Sequence, residues 1–196
     1  MFNKVEEFEK QIAKFYGAPY AVAVDCCTHG VELCLRYESI DNCTCYTNTY
    51  LSIPMTLTKL GINWEWYSSK EWKDYYYIPG TNIIDAAVYW KENGYVNGTY
   101  MVLSFQFKKH LSLGRGGAIL CERYTDYLAL KKMSYDGRMP NTPWEGQEIY
   151  TLGYHYYMTP ETAMLGLEKL PEAIAKPAVT RDWTTYPDLS KLEVFK

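Results

Sequence analysis

The sequence predicts an α/β fold: a mostly parallel sheet with helices on both faces. Three observations predict it. Short apolar runs such as AVAV, NII, MVLSF and AILC alternate with longer stretches of helical period. The chain opens on an amphipathic segment, with Val5, Phe8, Ile12 and Phe15 at helical spacing. The run Ala21–Val24 reads as a short buried strand, as expected in a sheet covered on both faces.

The elements follow in order. Residues 3–16 form the first helix, with Asn3 and Glu6 in a capping-box pattern and Gly17 and Pro19 as its stop. Residues 21–24 are a buried strand, and the turn 25–28 leads into a helix at 30–37. Strands are expected at 43–46, 62–67, 82–85, 100–105 and 118–121, with a short helix at 54–60 and loop residues at 114–117. Helices follow at 124–133 and 160–170, and residues 177–196 read as an extended tail. The expected division is one α/β domain over 1–176 followed by that tail.

Composition narrows the function. With 47% hydrophobic and 22% charged residues, the 196-residue chain folds rather than staying disordered. A net charge of −3 gives no general pull toward nucleic acid or anionic membrane. No apolar run reaches the length of a membrane span and the first residues lack a leader-like apolar core, so a cytoplasmic setting is expected. Cys26 and Cys27 are adjacent, Cys43 and Cys45 alternate, and Cys34 and Cys121 stand alone. With no CxxC pair and three His, these read as reduced thiols and not as a metal site.

Ligands of such sheets bind at the carboxyl ends of strands. That rule selects residues 25–29, Asp85 and residues 104–110. Lys109 follows the strand and precedes LGRGG. A lysine acts as a nucleophile only when its amine is neutral, which requires a desolvated site or a cationic neighbour; taken alone, Lys109 also reads as a surface lysine beside Lys108. Asp85 closes an apolar run, where a carboxylate needs a partner or serves as a helix cap. Thr28 stands at a strand-to-helix junction, suited to capping and to phosphate binding alike. Ser104 is a hydroxyl at a strand end.

The order of these pieces resembles the DegT-type family of nucleotide-sugar aminotransferases, pyridoxal-phosphate (PLP) enzymes of fold type I. The stretch FEKQIAKFYGAPYAVAVDCCTHGVELCLR looks like that family's opening helix, first strand and phosphate turn. TYLSIP, IIDAAVYW, SFQFKKHLSLGRGGAIL and LGYHYYMTPETAMLGLEKL are similar to its later segments, in order, over residues 6–170. The resemblance implies that Lys109, five residues after Ser104, forms the Schiff base with PLP. It implies that Asp85 pairs with the pyridinium nitrogen and that Tyr50 stacks on the ring. Cys27, Thr28 and Ser104 would hold the phosphate, and His155 would reach the partner subunit's phosphate. The implied fold is the seven-stranded, mostly parallel large domain of these transferases, working as a homodimer with shared active sites. The implied reaction transfers an amino group from a small-molecule donor, glutamate, to a keto sugar carried on a nucleotide. The chain departs from the pattern in Val88, Cys27 and Tyr157, where the family has a polar residue that touches PLP, Gly and Arg, and the family's second, smaller domain is expected to be replaced by the tail. Another PLP-dependent sugar or nucleotide modification, such as dehydration, and a non-catalytic PLP-fold binding protein stay open as alternatives.

Overall fold

The computed structural model describes residues 1–67 and 71–196. Helix α1 (Asn3–Tyr16) leads into strand β1 (Tyr20–Val24) and helix α2 (Cys27–Tyr37). Strand β2 (Asn42–Tyr46), helix α3 (Ser52–Lys59) and strand β3 (Asn63–Tyr67) follow, then strands β4 (Tyr76–Tyr77), β5 (Ile83–Asp85), β6 (Tyr100–Ser104) and β7 (Gly117–Cys121). Helices α4 (Tyr124–Ser134) and α5 (Pro160–Ala175) complete the α/β pattern.

Five strands form one sheet in the order β1-β7-β6-β5-β4, and β2 and β3 form a parallel pair beside it. The main sheet is mixed. Strands β1, β6 and β5 run in one direction, but β7 returns antiparallel between β1 and β6, and β4 pairs antiparallel with β5 at the edge. The expected parallel character therefore holds for three strands of the main sheet and for the β2–β3 pair. Strand β4 was not foreseen, although the Pro79-Gly80 pair between it and β5 is a hairpin signal.

Alternate residues of each central strand divide between two cores, as the pleat requires. Ala21, Ala23, Met101, Leu103, Ala118 and Leu120 face α1 and α5. Val22, Val24, Val102, Ile119 and Cys121 face α2, α3 and α4. Gly30 lies inside α2, where a Cβ would come within 2.6 Å of Val102 Cγ1. The glycine serves close packing and not termination, so the helix begins at Cys27, three residues earlier than its pattern predicts.

Three further expectations are corrected. Asn3 lies within α1, whose cap residue Phe2 has no side-chain acceptor, and Glu6 accepts instead from Asn141 Nδ2 at 2.7 Å. Helix α5 continues past Pro171 to Ala175. Residues 177–196 form three short 3₁₀ turns and pack back on the body. There Leu189 is buried and its N–H donates to Thr47 O at 2.8 Å, Asn48 Nδ2 donates to Tyr186 O at 2.9 Å, and Trp183 N–H donates to Trp72 O at 3.2 Å.

Candidate active site

The co-directional strands β1, β5 and β6 end on one edge of the sheet. Gly117, the first residue of β7, pairs with both Val24 and Ser104, so the loop carrying Lys109 rises from that same edge. A Cβ on Gly117 would lie 2.7 Å from Cys27 N. Glycine thus lets the start of α2 sit directly against the strand ends.

A cleft of about 490 Å³ opens there. Cys27, Thr28, Tyr50, Asp85, Ser104 and Lys109 all line it. Six side chains scattered over more than eighty residues are thereby brought together. His155 is not among them. It is exposed, pairs through Nδ1 with Asp136 Oδ2 at 3.0 Å and forms a bridge with Tyr135.

Asp85 is buried at the end of β5. Its Oδ2 accepts from the Tyr76 hydroxyl at 2.5 Å, and its Oδ1 accepts from Ala87 N–H at 2.9 Å. Tyr76 stands opposite Asp85 across the β4–β5 hairpin, which fixes the pair. Burial raises the Asp85 pKa, while the Tyr76 hydroxyl, the Ala87 N–H and the Lys109 charge act to lower it. A buried carboxylate held this way, on the wall of a cleft, is a strong acceptor for a cationic N–H.

Lys109 is half-buried, and burial lowers its pKa below the ordinary lysine value. The neighbouring Cys27 thiol and Asp85 carboxylate oppose the shift, and the Arg181 guanidinium adds to it. The requirement for a neutral amine thus finds both of its physical sources, desolvation and a cationic neighbour. Arg181 comes from the terminal segment, whose backbone is fixed by Asp74 N–H donating to Arg181 O at 2.6 Å and Arg181 N–H donating to Asp74 Oδ1 at 3.1 Å. Tyr186 of the same segment also lines the cleft, its ring 6.5 Å from that of Tyr50.

The start of α2 supplies the polar end of the cleft. Cys26, not Thr28, caps the helix: its Sγ accepts from His29 N–H at 3.4 Å. Thr28 is left to donate its hydroxyl to Ser52 Oγ at 2.9 Å. The Thr28, Ser52 and Ser104 hydroxyls meet in the cleft beside the first turn of α2, a set of donors suited to a phosphate. The Cys27 thiol lies 4.0 Å from Asp85 Oδ1, and burial pushes its pKa well up, so it stays protonated. Asp25, Cys26 and His29 place potential metal-ligating atoms within 4.8 Å of one another. Asp25 Oδ2, however, accepts from Arg115 at 2.7 Å, and Asp25 Oδ1 pairs with His29 Nδ1 at 2.7 Å. A guanidinium and an imidazolium already occupy that carboxylate.

The residues present fit PLP. Its phosphate matches the hydroxyls and the helix start, its ring nitrogen matches buried Asp85, and its aldehyde matches an amine with a lowered pKa. Tyr76, Ser52, Arg181 and Tyr186 were missed from sequence. Only the Pro79-Gly80 hairpin that carries Tyr76 left a readable signal.

Residues 1–63 match the DegT/DnrJ/EryC1/StrS aminotransferase family. No curated protein matches the sequence. Among solved structures, AtS13 from Actinomadura melliaura superposes with a TM-score of 0.77 at 20% identity, over 88% of this chain and 61% of that one. The sugar aminotransferase CalS13 from Micromonospora echinospora gives 0.74 at 14% identity, over 88% and 61%. The PLP form of Spr1654 from Streptococcus pneumoniae gives 0.73 at 16% identity, over 88% and 60%. The chain spans about three fifths of the length of these solved chains. It is therefore similar in sequence to the DegT/DnrJ/EryC1/StrS aminotransferases over residues 1–63, and it has the fold of sugar aminotransferases over most of its length.

Proposed function

We propose that this chain is a PLP-dependent aminotransferase that takes an amino group from glutamate and delivers it to a keto sugar carried on a nucleotide. The observation that carries the reading is the meeting of Lys109, with its lowered pKa, and buried Asp85 in one cleft that ends in hydroxyls and a helix start. Bound PLP supplies an electron sink for the substrate carbon. Lys109 Nζ holds the cofactor at rest and carries the proton during transfer. Asp85 keeps the ring nitrogen protonated, and Tyr76 with Ala87 N–H keeps Asp85 in place. Tyr50 offers its exposed face for stacking, and Cys27 through its backbone, with Thr28 and Ser104, anchors the phosphate.

The working unit in this reading is a homodimer in which exposed His155 reaches the phosphate of the neighbouring subunit. All six cysteines are unpaired, which suits a reducing cytoplasmic setting. No helix among the described residues is long and apolar enough to cross a membrane.

The test is a visible absorption spectrum of the protein with PLP, before and after glutamate. Borohydride reduction and peptide mapping then locate the attachment. The label is expected on Lys109, lost in Lys109→Ala and kept in Lys108→Ala. A label on Lys108, or a spectrum indifferent to glutamate, refutes the assignment.

A further inference from the structure

A second cavity, of about 180 Å³, adjoins the first and shares Lys109 with it. It shares Ala87, Ser104, Lys108, Lys109 and Arg181 with the larger cleft, so the Lys109 loop is a wall common to both. Its remaining lining differs in kind. The floor is aromatic and fixed: Trp90 stacks between Phe15 at 4.6 Å and His110 at 4.9 Å, and the Tyr16 hydroxyl donates to Tyr89 O at 2.7 Å. His110 Nε2 is in turn held by Ala173 O at 2.8 Å. The rim carries Lys108, Lys176 and Arg181, and no Asp or Glu lines the cavity. Among the described residues, none of these three cations is paired with a carboxylate; Lys108 lies over the Phe107 ring at 5.4 Å.

Three cations left without acids around a concave, aromatic-floored space form a receptor for an anion. The position adds meaning to the charge. A cofactor held in the larger cleft would leave the adjoining smaller cavity, which also borders Lys109, for a second molecule. Val88 lines this cavity and not the larger cleft. Two of the three cations, Lys176 and Arg181, come from residues after helix α5, which places recognition of the anion in the terminal segment.

We propose that this small cavity is the substrate subsite of the enzyme, in which Lys108, Lys176 and Arg181 hold a carboxylate or phosphate group of the molecule whose reacting carbon meets Lys109. The inference rests on the aminotransferase reading for the identity of that molecule. The anion it requires has two sources, the carboxylates of the amino donor and its keto-acid product, or the diphosphate of a nucleotide-bound sugar.

Calorimetric titration of the PLP-loaded full chain separates these sources, with 2-oxoglutarate and uridine diphosphate as probes and uridine as the neutral control. At least one anion is expected to bind, more weakly as salt is raised, and uridine is not. Lys176→Gln is expected to weaken binding about fivefold and Arg181→Gln about tenfold or more, the scale of one charge-assisted contact. Binding of 2-oxoglutarate alone assigns the site to the amino donor; binding of uridine diphosphate alone assigns it to the nucleotide. Absence of binding by both anions, or unchanged affinity in a Lys176→Gln/Arg181→Gln double variant, overturns the proposal. The borohydride label on Lys109 is followed in the same samples. If wild type takes up no PLP, the aminotransferase reading fails, and the same titrations on the unloaded chain still decide whether the cavity binds anions.

Discussion

At the scale of the residue, the site depends on how Asp85 is held. Its carboxylate sits in a low-dielectric wall, and two donors keep it oriented toward the cleft. Asn at this position retains shape and hydrogen bonding but loses the charge that favours a protonated ring. Asp85→Asn is therefore expected to keep the fold and lower the half-reaction rate with glutamate by roughly a hundredfold or more. Tyr76→Phe removes one donor only. It is expected to cost about 1–3 kcal/mol of stability and a smaller part of the rate. Rapid-mixing absorption with glutamate and a denaturant titration on each variant check both statements; a near-normal rate in Asp85→Asn makes Asp85 a structural acid.

At the scale of the element, helix α2 is fastened to the site edge by charge. Burial works against a protonated His29, but its hydrogen bond to Asp25 prevails and pushes its pKa up to about 9. The ring also stacks on Tyr156 at 3.7 Å. A pKa raised on folding contributes stability that is whole below about 6.5, the ordinary histidine value, and is lost as pH rises through about 9. His29→Gln is thus expected to destabilise more at pH 6 than at pH 9.5, as read from denaturation curves of both proteins at both pH values. An equal loss at the two pH values removes the ion pair from the account. Helices α1 and α4 are joined by a deeper pair. Glu9 Oε1 accepts from Lys131 Nζ at 2.5 Å and from Ala23 N–H at 2.7 Å, and both side chains are buried. Lys131→Met strands the Glu9 charge and is expected to cost about 3–5 kcal/mol. Adding Glu9→Gln restores part of that, since Gln keeps an acceptor for Ala23. A denaturant midpoint for the single and double variants measures the recovery.

At the scale of the whole molecule, the open question is what walls the cleft. Within one chain the terminal segment supplies Arg181 and Tyr186, but Tyr50 remains more than half exposed. Water exclusion strengthens the charge interactions that the reaction uses, and a twofold partner adds a wall without added chain length. His155, 71% exposed at its side chain and absent from the lining of its own cleft, is the residue proposed to reach a neighbour's site. Mixing inactive Lys109→Ala with inactive His155→Ala under subunit exchange is expected to restore partial activity, because some mixed dimers hold one complete site. Exchange shown by mass without return of activity refutes the shared site.

The sequence by itself determined the local frame. Apolar runs and helical periods located each long element to within a few residues, because burial on two faces of a sheet imposes its pattern directly on neighbouring positions. The strand-end rule selected the neighbourhoods of Cys27, Thr28, Asp85, Ser104 and Lys109, the resemblance to the DegT-type family added Tyr50 and chose Lys109 over Lys108, and one cleft gathers all six. Tertiary structure alone decided the rest. The antiparallel return of β7 depends on pairing between strands far apart in the chain, which no local pattern encodes. Cys26 and not Thr28 caps α2, and Gly30 packs against Val102 inside the helix. Tyr76 reaches Asp85 through a hairpin register, and Arg181 reaches the surroundings of Lys109 through contacts of the terminal segment with Asp74. Side chains that tune a site from a distance along the chain carry no periodicity of their own, and only the closed fold brings their charge to bear.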